Sequence, residues 1–202
     1  MEGKKEDNYI KVHMYNLVVE NPESTVVAEY KPPYRKETAY QSEADLEKAF
    51  INLLQSQAYE YLPITSESDL ISNLRSKLET LNNYQFTEAE WKQFFTSRVA
   101  NLNMGVEEKT HVIQEDHIQL LTREDGTVKN IRLIDKENIH NNSLQVINQY
   151  ETDQGQRPNR YDVTILVNGL PLVHVELKKR GVYIKEAFNQ INRYSRESFW
   201  AG

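Results

Sequence analysis

The chain has 202 residues, of which 39% are hydrophobic, with a formal net charge of −6 and no cysteine. That length suffices for one α/β domain with a sizeable core, and the missing thiols exclude both disulfides and thiolate metal sites. No apolar run approaches a bilayer span and the polar start Met1-Glu-Gly-Lys-Lys-Glu-Asp7 lacks a signal-peptide core, so a soluble intracellular protein without a membrane partner is expected.

Residues 1–40 show alternation around Tyr15–Val19 and Val26–Tyr30, then Lys31-Pro-Pro-Tyr34, which reads as an N-terminal extension with short strands. The domain proper is expected over residues 41–202. Ser42 with Asp45 makes a capping-box start, and Leu46, Ala49, Phe50, Leu53 and Leu54 form the apolar stripe of a helix expected over 43–61. Glu43 and Glu47 lie near the edge of that stripe. Two more helices are expected over 67–81 and 88–100, the second opened by Thr87 with Glu90.

After Gly105 the pattern turns to strands. Residues 117–121 and 128–134 flank the hairpin signal Glu124-Asp-Gly126, and strands follow at 144–150, 161–167 and 172–178, with a last helix over 184–198. These compose one mixed sheet flanked by helices, a layered α/β architecture. The five His residues show no zinc-ligand spacing and read as surface or hydrogen-bonded residues. No G-x-x-x-x-G-K-[ST] loop is present, so ATP binding is not expected of these residues.

The most informative stretch is Tyr161-Asp-Val-Thr-Ile-Leu-Val167, Asn168-Gly-Leu170, Pro171-Leu-Val-His-Val-Glu-Leu-Lys178, two β-rich runs around a turn. A three-residue loop with Val167 opposite Pro171 would put 166 opposite 172, 164 opposite 174 and Asp162 opposite Glu176. Alternation gives one aliphatic face, Val163, Ile165, Val167, Val173, Val175 and Leu177, and one polar face, Asp162, Thr164, His174, Glu176 and Lys178. Two carboxylates directly opposite at ~5 Å repel each other unless a cation lies between them. Mg²⁺ uses one or two carboxylates and keeps several waters, so Asp162 and Glu176 suit a metal that serves phosphodiester hydrolysis, with Lys178 placed to orient or deprotonate water. A solvated polar sheet face is the plainer reading of the same residues.

This stretch resembles the PD-(D/E)xK nuclease superfamily, and more narrowly the N-terminal nuclease domain of the restriction (R) subunit of type I restriction-modification enzymes. Val167-Asn-Gly-Leu-Pro-Leu-Val173 followed by Val175-Glu-Leu-Lys178 carries most of the likeness. Ser42–Glu47, Phe50–Leu54 and Tyr59–Leu62 look like the family's opening helix. Asn130–Asp135 and Val146–Tyr150 look like its central strands, and Gln190-Ile-Asn-Arg-Tyr194 is similar to its Q-x-x-x-Y motif.

The resemblance implies a restriction-endonuclease-like core and Mg²⁺-dependent cleavage of double-stranded DNA without base readout at the cut. It implies Asp162 and Glu176 as metal ligands, the Leu177 carbonyl as a third, and Lys178 as the residue that positions or activates water. Gln190 and Tyr194 become supporting residues near the DNA, and Glu47, with Glu43 second, the acid that the opening helix sends to the metal. It further implies methyltransferase and specificity subunits as partners, an ATP-driven motor elsewhere in a longer polypeptide, and a bacterial or archaeal cytoplasm.

Charge distribution fits a phosphate backbone: residues 178–196 carry 6 Lys/Arg against Glu186 alone. The ending Ser198-Phe-Trp-Ala-Gly202 is expected to expose aromatics that need a neighbour. Two alternatives stand beside this reading: a catalytically silent domain of the same fold that guides DNA or docks subunits, and a stand-alone repair nuclease of the superfamily.

Overall fold

A computed structural model describes residues 15–21, 25–30, 42–152, 159–179, 185, 188–189 and 200. The chain divides into two units, residues 1–40 and 41–202. In the first, β1 (Tyr15–Asn21) pairs antiparallel with β2 (Thr25–Tyr30), with a bulge between Leu17 and Val19.

The second unit opens on α1 (Glu43–Ser56), whose start is fixed by a capping box: Asp45 N–H donates to Ser42 Oγ at 3.1 Å while Ser42 N–H donates to the Asp45 carboxylate at 3.3 Å. The helix stops at Ser56 rather than at 61, because Ala58 turns left-handed at φ 69° and the chain then extends. Glu60–Tyr61 form the short strand β3 instead of helix. The buried stripe also differs from the expected one. Ile51 and Leu54 are buried, whereas Ala49 and Leu53 are exposed. The run Leu46–Leu54 contains two overlapping apolar stripes, and the one that packs includes Glu47, whose carboxylate is met by the side-chain amides of Asn148 and Gln149.

The next helix, α2 (Glu67–Asn82), sets Leu70, Leu74 and Leu78, one row at four-residue spacing, fully inside. It ends on Asn83 in the left-handed conformation at φ 44°. Then α3 (Glu88–Phe94), opened by its Thr87/Glu90 capping box, passes into a π-helical segment, Phe95–Val99. Residues 106–114, expected to lead into strands, form the helix α4 (Val106–Gln114). Its N-cap, Gly105, offers no side chain to mark the start, although Glu107 and Glu108 suit the positive end of the helix.

The remaining strands are β4 (Ile118–Thr122), β5 (Val128–Arg132), β6 (Leu144–Thr152), β7 (Asn159–Val167) and β8 (Leu170–Val175). They do not form a single five-stranded sheet. Among the described residues β4 and β5 form a separate two-stranded sheet, and the main sheet has the order β3-β6-β7-β8, with β3 parallel to β6 and the other pairs antiparallel. The sheet is therefore mixed, and the architecture is mixed α/β. Chain-local patterning identifies strands, but partners are chosen by distant contacts. The expected helix over 184–198 lies almost wholly outside the described residues.

Both faces of the main sheet are covered. Val146 and Val163 pack on Ile51 and Leu54 of α1, with Ile165, Val175 and Leu177 alongside. Ile147, Tyr150, Tyr161, Leu166 and Leu170 join α2, α3 and the inner residues Leu121 and Ile131 of the β4–β5 pair. Val173, expected in the aliphatic face, is instead 47% exposed. Trp200 is not left open: it is buried and meets the Phe95 ring edge-on at 5.3 Å.

Candidate active site

The β7–β8 hairpin turns through two residues, not three. Asn168 (φ 52°) and Gly169 (φ 83°) both adopt left-handed conformations, so Val167 pairs with Leu170. Leu166 consequently faces Pro171 rather than Leu172, and a bulge at Leu172 restores the register before Ile165 meets Val173 and Thr164 meets His174. The shorter turn and the bulge cancel, so the level of Asp162 still corresponds to that of Glu176, just past the last paired residue of β8.

The turn is anchored from beneath. Asn168, 1% exposed, donates from Nδ2 to the Leu133 carbonyl at 3.0 Å and to Asn142 Oδ1 at 2.8 Å, and accepts the Ser143 N–H at 2.8 Å. Gly169 lies against α2 so closely that a Cβ there would stand 2.5 Å from Leu74 Cα. Asp135 holds the neighbouring loop, accepting the N–H groups of Glu137 and Asn138 at 3.1 and 3.0 Å and the Asn141 amide at 2.9 Å. The open end of the hairpin, which carries the acids, is thus the far end of a tightly held lever.

At that end Asp162 accepts the Leu177 N–H at 2.8 Å. The Glu176 side chain is only 3% exposed; its Oε1 accepts from Lys178 Nζ at 2.5 Å, while its Oε2 is buried and meets no hydrogen-bond donor among the described residues. Burial, together with the charges of Asp162 and Glu43, raises the Glu176 carboxyl above its usual range despite the opposing Lys178. Desolvation pulls the Lys178 ammonium down, but its hydrogen bond to Glu176 and the charges of Glu176, Asp162 and Glu43 outweigh it, and its pKa is raised. Lys178 is therefore a firmly held cation in this arrangement.

The two acids of α1 part company. Glu43 accepts the Lys179 N–H at 3.3 Å and its charge bears on both Glu176 and Lys178. Glu47, ranked first from the sequence, is engaged by Asn148 and Gln149 of β6. His174 hydrogen-bonds Thr164 at 3.0 Å and stacks on Tyr161 with ring centroids 4.3 Å apart. Gln190 and Tyr194 lie outside the described residues. Sequence reasoning passed over Gln149 and Arg160, whose side chains meet each other beside Asp162; the signal was the pair Asn148-Gln149, two amides interrupting an apolar strand.

A buried carboxylate oxygen without a donor is costly unless a positive partner completes it. Among the described residues no three His, Asp or Glu side chains gather as a cage. Two carboxylates are the complement that Mg²⁺ uses while retaining water, so the donor set fits a hard divalent cation. No described helix is long and apolar enough to cross a membrane.

A model of the family described as "Type I restriction enzyme R protein N terminus" matches residues 40–201. The chain is 47% identical over 183 residues to the Type I restriction enzyme EcoprrI endonuclease subunit of Escherichia coli, covering 90% of this chain and 58% of that protein. It is 36% identical over 165 residues to the Type I restriction enzyme SsaAORF53P endonuclease subunit of Staphylococcus saprophyticus, covering 79% of this chain and 17% of that protein. The corresponding figures for the SauMSSORF170P endonuclease subunit of Staphylococcus aureus are 34% over 166 residues, 80% and 17%. The chain thus spans little more than half of the first relative and about one sixth of the other two.

Proposed function

The chain belongs to the family of type I restriction enzyme R protein N termini, and on that premise we propose that it is a Mg²⁺-dependent nuclease domain of PD-(D/E)xK type that cuts double-stranded DNA. The observation that carries this reading is the buried, donorless Oε2 of Glu176 beside Asp162 and the Lys178 ammonium. Asp162 and Glu176 would hold the cation, and the Leu177 carbonyl would supply a third oxygen. When bound, Mg²⁺ supplies Lewis-acid stabilisation of the charge that develops on the phosphoryl oxygens.

The chain's own residues do the rest. The Leu177 N–H fixes the Asp162 carboxylate, so its other oxygen is presented in one orientation. Lys178, a cation bonded to Glu176, donates to the incoming water or to the scissile phosphate and orients it for in-line attack. Glu43 adds a further negative charge beside Glu176 and Lys178, which would favour a cation there. Cutting is non-specific in sequence, and Gln190 and Tyr194, which lie outside the described residues, steady the DNA backbone.

In the assembled enzyme, methyltransferase and specificity subunits supply recognition, and an ATP-driven motor delivers the DNA, in a bacterial or archaeal cytoplasm. The test is cleavage of supercoiled plasmid by the assembled restriction enzyme with Mg²⁺ and ATP. Asp162→Ala in the R subunit should abolish cutting and leave ATP hydrolysis intact. Undiminished linearisation by that variant would end the proposal.

A further inference from the structure

The ladder between β6 and β7 is regular on both sides of one missing rung. Asn148 pairs with Val163 and Tyr150 with Tyr161 in a single register, yet the rung between them, Gln149 opposite Asp162, is not formed. Gln149 lies in the left-handed region at φ 53°. Glutamine has no special tolerance for that conformation, which L-residues avoid because Cβ crowds the following carbonyl. Such a residue persists only where its surroundings over-determine it.

Here they do. The Gln149 side-chain amide nitrogen donates to Glu47 of α1, which also accepts from Asn148, and the Gln149 side-chain oxygen Oε1 accepts from Arg160 Nε. The consequence reaches the neighbouring strand. Asn148 turns to α1 while Tyr150 joins the opposite core, and Val163 packs on α1 while Tyr161 joins the opposite core. Residues two apart on a regular strand share a face, so both strands reverse their facing at the level of Gln149 and Asp162.

We infer that Gln149, held left-handed by Glu47 and Arg160, is a positioning residue that breaks the pleat opposite Asp162 and thereby aims its carboxylate at the Leu177 N–H and the cation site. This deepens the nuclease reading and rests on it. On this inference Glu47 acts through Gln149 rather than as a ligand, and Asp162 gains its direction from the neighbouring strand's backbone.

The experiment compares assembled restriction enzyme carrying wild-type, Gln149→Gly, Gln149→Val and Asp162→Ala R subunits, with ATP hydrolysis as the control for assembly. Glycine accepts a positive φ and valine resists it. Gln149→Gly should therefore cut at least roughly tenfold faster than Gln149→Val, whose half-saturating Mg²⁺ concentration should rise by a similar factor. Equal cutting and equal Mg²⁺ dependence in the two variants would overturn the inference. If Gln149→Val does not assemble, the cycle of Glu47→Ala, Gln149→Ala and the double variant decides. A double variant no worse than the poorer single one supports the tether, and losses that multiply overturn it. Cutting by Asp162→Ala would defeat the nuclease reading itself, whereas a dead Asp162→Ala with indistinguishable glycine and valine variants defeats only the role of Gln149.

Discussion

Gly169→Ala should be far more damaging than Gly126→Ala, although both glycines occupy left-handed turns of β-hairpins. Their φ values, 83° and 80°, are nearly equal, so an added Cβ costs about 1–2 kcal/mol at either place, offset by about 0.4–1 kcal/mol from a stiffer unfolded chain. The surroundings differ. A Cβ at Gly126 meets nothing within 4 Å, whereas at Gly169 it stands 2.5 Å from Leu74 Cα and 2.9 Å from Leu74 N, both backbone atoms on the buried face of α2. The hairpin or α2 must then shift, a cost of about 1–3 kcal/mol more. Urea unfolding of the chain, followed by the fluorescence of the buried Trp91 and Trp200, should show Gly126→Ala within about 1 kcal/mol of wild type. Gly169→Ala should be destabilised by about 2–4 kcal/mol. Equal destabilisation of the two variants would refute the contact between the turn and α2, and with it the view that α2 fixes the register on which Asp162 and Glu176 depend.

Glu43→Gln removes one of the negative charges that raise the Glu176 carboxyl; in the metal-free chain the Glu176 pKa, followed by NMR of its side-chain carboxyl, should fall, and an unchanged or higher value would contradict the proximity of the two acids. The Asp135 carboxyl is held below 3.8, first by the Asn138 N–H, then by the Asn141 amide, with Arg132 adding charge. The folded chain therefore binds this proton less readily than the unfolded one, and the stability that the carboxylate confers is present above that value and lost as pH falls through the folded pKa. In urea titrations from about pH 5 to about pH 2.5, the stability gap between wild type and Asp135→Asn should narrow steadily; a constant gap would show that the charge is not what matters at this position.

Local chemistry made much of this fold legible. The capping boxes Ser42/Asp45 and Thr87/Glu90 announce α1 and α3 because cap and partner are three residues apart and need nothing else. The acidic hairpin could be read for a similar reason: Asn168-Gly169 marks the turn, and counting away from it sets Asp162 level with Glu176. The one-residue misreading of that turn did no harm at its far end, since the bulge at Leu172 absorbs it. What could not be read depends on distant partners. Whether α1 buries Leu53 or Ile51 is decided by Val146 and Val163, some hundred residues on, and by the amides that draw in Glu47. The same rotation separates Glu43 from Glu47, which sequence spacing treats alike. The β4–β5 pair reads like any other hairpin, and nothing in its own residues says that it stays apart from the main sheet. The helix α4 was hidden by a glycine N-cap.

The claim that Asp162 and Glu176 form a cation site is tested most directly by binding. Mn²⁺, as a paramagnetic stand-in for Mg²⁺, can be titrated into the chain and followed by water-proton relaxation, beside Asp162→Asn and Glu176→Gln. Mn²⁺ should bind the chain, be displaced by Mg²⁺ and be weakened about tenfold or more in each variant, as expected when 10–100-fold changes attend damage to the groups around a metal. Binding of the same strength in all three proteins would contradict the claim and return the buried Glu176 carboxylate to a purely structural role.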